Sequence, residues 1–143
     1  MVIRAARAGD VPALVPLFAQ WGHGQPAAAI AARLDEWERT LFAEVLVAEV
    51  DGTLAGVAAV SASPHLARPG RTARLAALVV ATTHRRRGVG ATLLRTAEDR
   101  ARRWDCDRLE LTSSRARPEA HPFYCALGYE EQSARHARYL RAL

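Results

Sequence analysis

Cysteine is scarce in this chain: Cys106 and Cys125 are the only two in 143 residues. That is too few for a disulfide framework or a cysteine zinc site. Neither has the spacing of a redox motif, so both read as free thiols that behave as small apolar side chains in a reducing compartment. Long hydrophobic runs are also missing. No apolar stretch approaches the ~20 residues needed to span a bilayer. The start, Met1-Val2-Ile3-Arg4, has no long apolar segment and no cleavage site, so neither a secretory leader nor a membrane partner is expected. Internal repeats, low-complexity linkers and a composition break are absent as well. The expectation is a single cytoplasmic domain over residues 1–143 that needs no metal.

The residues that are present have a globular balance, 50% hydrophobic and 24% charged, in a chain long enough to bury a core without staples. The net charge is +5 and the isoelectric point is about 10.2, which attracts polyanions at long range. The basic charge comes from arginine, spread from Arg4 to Arg141. It is not interleaved with aromatics, and no helix-turn-helix, zinc or RNP signature accompanies it, so a nucleic-acid-binding module is the weaker reading. The one local concentration, Arg85-Arg86-Arg87, coincides with a glycine-rich turn and points to a small phosphorylated ligand.

Periodicity and punctuation predict the order β-α-α-β-β-β-α-β-α-β, an α+β (mixed α/β) domain. Val2–Arg4 reads as a strand. Asp10 reads as an N-cap with Pro12 in the first turn of a helix that Pro16 should kink or break. A second helix starts near Pro26, with Ile30, Leu34, Trp37 and Leu41 at helical spacing. Glu44–Val50 and Leu54–Ser61 read as strands joined by the hairpin turn Asp51-Gly52. After a loop from Ser63 to Gly70, Arg74–Ala81 is a nearly continuous apolar strand, as expected of one covered on both faces. Gly88–Trp104 is an amphipathic helix with Val89, Leu93, Leu94, Ala97, Ala101 and Trp104 as its stripe. Arg108–Thr112 is a strand, Pro118–Leu127 a short helix stopped by Gly128, and Glu130–Leu143 a final strand.

The loop Arg85-Arg86-Arg87-Gly88-Val89-Gly90 joins a buried strand to an amphipathic helix. Helix N-termini expose unpaired N–H groups and partial positive charge. Glycines 88 and 90 let an anion approach the backbone, and arginines add charge-assisted bonds. The loop therefore suits phosphate, although Gly88-x-Gly90 alone equally describes a solvated basic turn. It is neither a Walker A sequence nor the dinucleotide GxGxxG pattern.

The run Val79-Val80-(x)4-Arg85-x-x-Gly88-x-Gly90-Ala91 resembles the acetyl-CoA motif of the GCN5-related N-acetyltransferase (GNAT) superfamily, Gln/Arg-x-x-Gly-x-Gly/Ala. A second motif, Phe123-Tyr124-x-x-x-Gly128-Tyr129, stands at the family spacing, and the order of elements matches over nearly the whole chain. The resemblance implies a central, mostly antiparallel, splayed sheet of six to seven strands with about four helices. It implies acetyl-CoA as cosubstrate, no metal, and transfer of the acetyl group to an amine. Leu78, Val79 and Val80 would offer backbone groups to the pantetheine arm. Arg85, Arg86, Arg87, Gly88, Val89, Gly90 and Ala91 would bind the pyrophosphate. The sheet would open between Arg74–Ala81 and Arg108–Thr112, and Tyr124 would protonate the leaving thiolate, a role to be weighed against a packing aromatic.

An amine acceptor must lose a proton before it attacks. Many family members carry a carboxylate for this in the strand where Ala76 and Ala77 stand here. Glu44, Glu49, Glu110, His65, His121 and water are the remaining candidates. The missing carboxylate also keeps alive a CoA-binding sensor without turnover. The run Ser113–Tyr124 looks more like members acting on small amines than on histones, so a small-molecule amine is the expected partner, with a monomer or a homodimer as the assembly.

Overall fold

The computed structural model describes residues 1–143, which form two compact units, residues 1–111 and 112–143. The first unit holds one sheet in the order β1-β2-β3-β4-β5: β1 (Val2–Ala5), β2 (Ala43–Val50), β3 (Thr53–Pro64), β4 (Arg71–Val80) and β5 (Cys106–Glu110). Neighbours from β1 to β4 are antiparallel, and β5 runs parallel to β4. Helices α1 (Val11–Trp21) and α2 (Ala27–Glu38) precede β2, and α3 (Val89–Arg103) connects β4 to β5. The hairpin turn is as expected: Asp51 and Gly52 both take positive φ, 49° and 76°, as a primed turn requires.

Side chains alternate across a strand, and the two faces of this sheet find different cover. Val47, Val57, Val79 and Ala81 join Val11, Leu14 and Leu17 of α1 and Ile30 of α2 in one core cluster. On the opposite face, Gly56 of β3 lies beneath Val89 and Leu93 of α3. The stripe predicted for α3 is the one that is buried, Val89, Leu93, Leu94, Ala97 and Ala101.

The first unit departs from expectation in three places. Pro16 neither ends nor breaks α1. Leu14 and Leu17, on either side of it, are buried to 0% and 2% exposure, and that packing offsets the one helical bond a proline removes. Asp10 precedes α1, but its side chain makes no cap bond to the helix. Its carboxylate instead accepts from both Arg4 nitrogens at 2.8 Å and from the Arg7 N–H at 2.8 Å. Leu41 is not on the α2 stripe: α2 ends at Glu38, and Leu41 is 77% exposed.

The second unit contains α4 (Ala120–Ala126), closed by Gly128 at φ 91°. The Tyr129 N–H returns to the Tyr124 carbonyl at 3.0 Å and the Gly128 N–H to Cys125 at 3.1 Å, so the helix stop falls where the glycine predicted it. Residues 130–143 form no strand. The sheet therefore has five strands, not six or seven, within the expected α+β class with four helices. Within the tail, Arg135 binds locally to Glu130 at 2.8 Å. No helix is long and apolar enough to cross a membrane.

Candidate active site

The central feature of the first unit is where β4 and β5 part. They pair in parallel from Arg71↔Cys106 to Arg74↔Glu110, and no further. Beyond Arg74, β4 continues through Leu75–Val80 with β3 as its only partner, from Val60↔Leu75 to Gly56↔Val80. One edge of Leu78, Val79 and Val80 is thus left without a strand. Pairing between these two strands stops at Arg74 and Glu110, where β5 itself ends.

The register also jumps there. Ala59 pairs with Ala77 and Val60 with Leu75, so Ala76 is an extra residue in β4. A bulge of this kind shifts which face each later side chain takes. Leu75 falls on the α3 side, whereas Ala77 and Val79 fall on the α1 side. Sequence reasoning missed the bulge because Leu75–Val80 is almost uniformly apolar, which leaves no alternation to break.

Past Val80, β4 runs into a 3-10 turn, Thr82–His84, and then the segment Arg85–Gly88. Arg86 and Gly88 take left-handed φ, 62° and 80°. The first helical bond is Thr92 N–H to the Gly88 carbonyl, at 3.0 Å, so the amides of Val89, Gly90 and Ala91 precede it at the helix head. The first turn of α3 contains no acidic residue. Val89 is buried at 2% exposure and fixes the head of α3 to the sheet, while Arg85, Arg86, Arg87 and Gly88 are exposed. A Cβ placed on Gly88 would meet nothing within 4 Å, so the approach to this backbone is open. Free amides, open space and three cations without a local acid suit a diphosphate.

The model of the acetyltransferase (GNAT) family matches residues 13–129. The chain belongs to this family. It is therefore an acyltransferase, of a family that uses acetyl-CoA. An acetyltransferase assigned in Agrobacterium tumefaciens str. C58 has the same fold at a TM-score of 0.87 and 25% identity, covering 99% of this chain and 100% of that one. Aminoglycoside 6'-N-acetyltransferase of Acinetobacter haemolyticus superposes at 0.82 with 20% identity, covering 100% and 99%. Ribosomal-protein-alanine N-acetyltransferase of Brucella melitensis biovar Abortus 2308 does so at 0.80 with 20% identity, covering 100% of both. No curated protein matches the sequence significantly.

The carboxylates and histidines of this GNAT chain that could act as a base are engaged. Glu44 accepts from Arg100 at 2.6 Å and Glu49 from Arg4 at 3.1 Å. Glu110 faces Arg74 at 3.9 Å. The Nε2 of His65 lies 3.1 Å from Asp107, which Arg68 also grips at 2.9 Å. His65 and Arg68 pull the Asp107 carboxyl down to about 2. A cavity of about 490 Å³ beside this cluster is lined by Pro64, Pro69, Gly70, Arg71, Asp105 and Asp107. It sits at the start of β4, at the opposite end of the strand from the glycine-rich turn. In the second unit, His121 lies 3.4 Å from Glu131 and 3.6 Å from the Cys125 sulfur.

Tyr124, on α4, is half-buried between Phe123 and Tyr129, at ring-centroid distances of 5.1 and 5.9 Å. Burial pushes its phenol above the ordinary value of 10. It therefore holds its proton throughout the neutral range, as an acid catalyst must.

Proposed function

We propose that this GNAT enzyme moves an acetyl group from acetyl-CoA to the primary amine of a small molecule, by direct attack of the amine on the thioester. The observation that carries the reading is the unpaired edge of Leu78–Val80 leading into the glycine-rich head of α3. An extended amide-bearing arm can add to such an edge as a further strand, and its diphosphate then falls at Arg85–Ala91. The backbone amides of Val89, Gly90 and Ala91 supply the directional bonds, and Arg85, Arg86 and Arg87 the charge. Residues 1–143 serve as one acetyltransferase domain, since the family match spans both compact units. We place it in the cytosol, in keeping with its two free thiols.

A free alkyl amine has a pKa near ~10.4 and arrives as an ammonium. With alanine at 76 and 77, and with the nearest carboxylates held by arginines, water accepts its proton. The nitrogen then attacks the thioester carbonyl, the C–S bond breaks, the Tyr124 hydroxyl gives its proton to the departing thiolate, and a second proton leaves the newly acylated nitrogen through water to restore the phenol. The small-molecule class rests on the run Ser113–Tyr124 and on a fold neighbour that acetylates aminoglycosides.

One observation favours a second reading, a sensor that binds CoA without turnover: no carboxylate stands at Ala76 or Ala77. Thiol release from acetyl-CoA, measured against a panel of small amines, aminoglycosides and peptides, separates the two. Release that depends on a small amine supports the transferase. Tight CoA binding with no release across the whole panel supports the sensor. Release with peptides alone would overturn the small-molecule assignment.

A further inference from the structure

The turn that opens the glycine-rich segment is held from outside by a side chain that neither motif contains. Gln20, in the last turn of α1, accepts the Thr82 N–H on its Oε1 at 3.0 Å. Thr82 is the first residue of the 3-10 turn Thr82–His84, whose other backbone anchors are Ala81 N–H to Ala55 at 2.8 Å and His84 N–H to Ala81 at 2.9 Å. Gln20 thus takes up the amide where β4 gives way to the loop.

The post that carries Gln20 is stiff. Leu14 and Leu17 of α1 are fixed in the same core cluster as Val79 of β4 and Ala81 just after it, so the helix is registered on the end of the strand it assists. Gly22, at φ 92°, ends the helix two residues later, and Trp21 packs at 5.6 Å on Phe18 and at 4.4 Å on His23. Downstream, the backbone must enter the left-handed region at Arg86 and again at Gly88. Arginine gains nothing from that conformation, so the path of the segment depends on how its entry is held. Arg85 contributes only a long bond from its Nε to the Val80 carbonyl, at 3.4 Å.

We propose that Gln20 is a positioning residue for the phosphate-binding turn: its side-chain carbonyl fixes Thr82–His84, and through it the path of Arg85–Gly88 beneath the diphosphate. Gln20 acts through the turn it holds. It ties the end of α1 to the turn, so the α1–α2 connection and the cofactor loop move as one piece. The inference rests on the reading of Arg85–Ala91 as the CoA site.

The test uses Gln20→Met, which keeps length and loses the acceptor, and Gln20→Glu, which keeps an acceptor oxygen. Gln20 lies at the surface, so both variants should melt as the wild type does. Two quantities are read: amide exchange across Thr82–Gly88 in the free protein, and CoA affinity by calorimetry. A lost hydrogen bond of ordinary strength corresponds to a change of about two- to tenfold. Gln20→Met should speed exchange at Thr82 and its neighbours and weaken CoA by about that factor, and Gln20→Glu should restore the protection. Unchanged exchange in Gln20→Met overturns the proposal, whether or not CoA binds. Faster exchange with undiminished CoA affinity overturns it as well. A wild type that binds no CoA but whose turn loosens in Gln20→Met would sink the cofactor site instead, leaving Gln20 as the turn's anchor.

Discussion

Gly56 of β3 lies so close to the Val79 backbone of β4 that a Cβ on Gly56 would stand 2.8 Å from the Val79 carbonyl oxygen, and 3.0 Å from Leu93 of α3. The head of α3 can settle on the sheet only because residue 56 has no side chain. Gly56→Ala must push back either the neighbouring strand or the helix. Overpacking of this kind costs about 1–3 kcal/mol, or a melting temperature lower by roughly 3 °C or more. CoA affinity should fall with it, because the glycine-rich turn rides on that helix. A thermal melt identical to the wild type would show that α3 is not seated this way.

Gly90→Asp should separate stability from binding. The residue lies in the first turn of α3, where glycine weakens a helix and a carboxylate favours its positive end. The melting temperature should hold or rise slightly. CoA binding should be lost, because the new carboxylate stands where the diphosphate would sit. Calorimetry on the folded variant decides, and undiminished affinity would move the phosphate site elsewhere.

Tyr124→Phe keeps the ring and removes only the hydroxyl. Turnover on an acceptor that the wild type uses should drop by roughly 10²-fold or more, in the range of a lost general acid, with acetyl-CoA affinity little changed. Because burial raises the phenol's pKa, any loss of wild-type rate from ionisation of Tyr124 should come at higher pH than for an ordinary phenol. Full turnover in the variant, with chemistry limiting the rate, would make Tyr124 a packing residue.

Asp10 gives an acid-side prediction. It is 6% exposed, and its bonds to Arg4, and then to the Arg7 amide, lower its pKa below the ordinary 3.8. The folded state thus binds its proton less readily than the unfolded chain. The stability this confers is complete above about pH 4, and it is lost as pH falls through the lowered value. Asp10→Ala leaves Arg4 half-paired and should cost about 2–4 kcal/mol at neutral pH. It should also flatten the acid limb of the melting curve. Equal acid sensitivity in variant and wild type would assign that limb to other carboxylates.

Several elements could be read from the sequence because a single local cause fixes each of them. Asp51-Gly52 made the hairpin turn, Gly128 stopped its helix, and the stripe from Val89 to Ala101 was the buried one. The glycine-rich turn was legible for the same reason, since its residues are contiguous. Pro16 and Leu41 misled because packing between elements overrode local preference in one case, and the chain had already turned in the other. The tail 130–143 was read as a strand on weak periodicity and is none. Gln20 gave no signal at all: a glutamine near a helix end looks solvated until the fold brings residue 82 to it.

The extra residue in β4 makes the strand a two-part object. Up to Leu75 its odd-numbered side chains serve the α3 side, and from Ala77 onward the odd numbers serve the α1 side. Ala76 acts as a phase shift between two reading frames of the same strand. The two frames are in step with β3 once Ala76 is left out of the count, so this is the one point where the strand could lose a residue without turning its side chains over. Deleting Ala76 would join Leu75 to Ala77 in a regular ladder that keeps every pairing with β3, and each half of the strand would still present its own side chains to its own core.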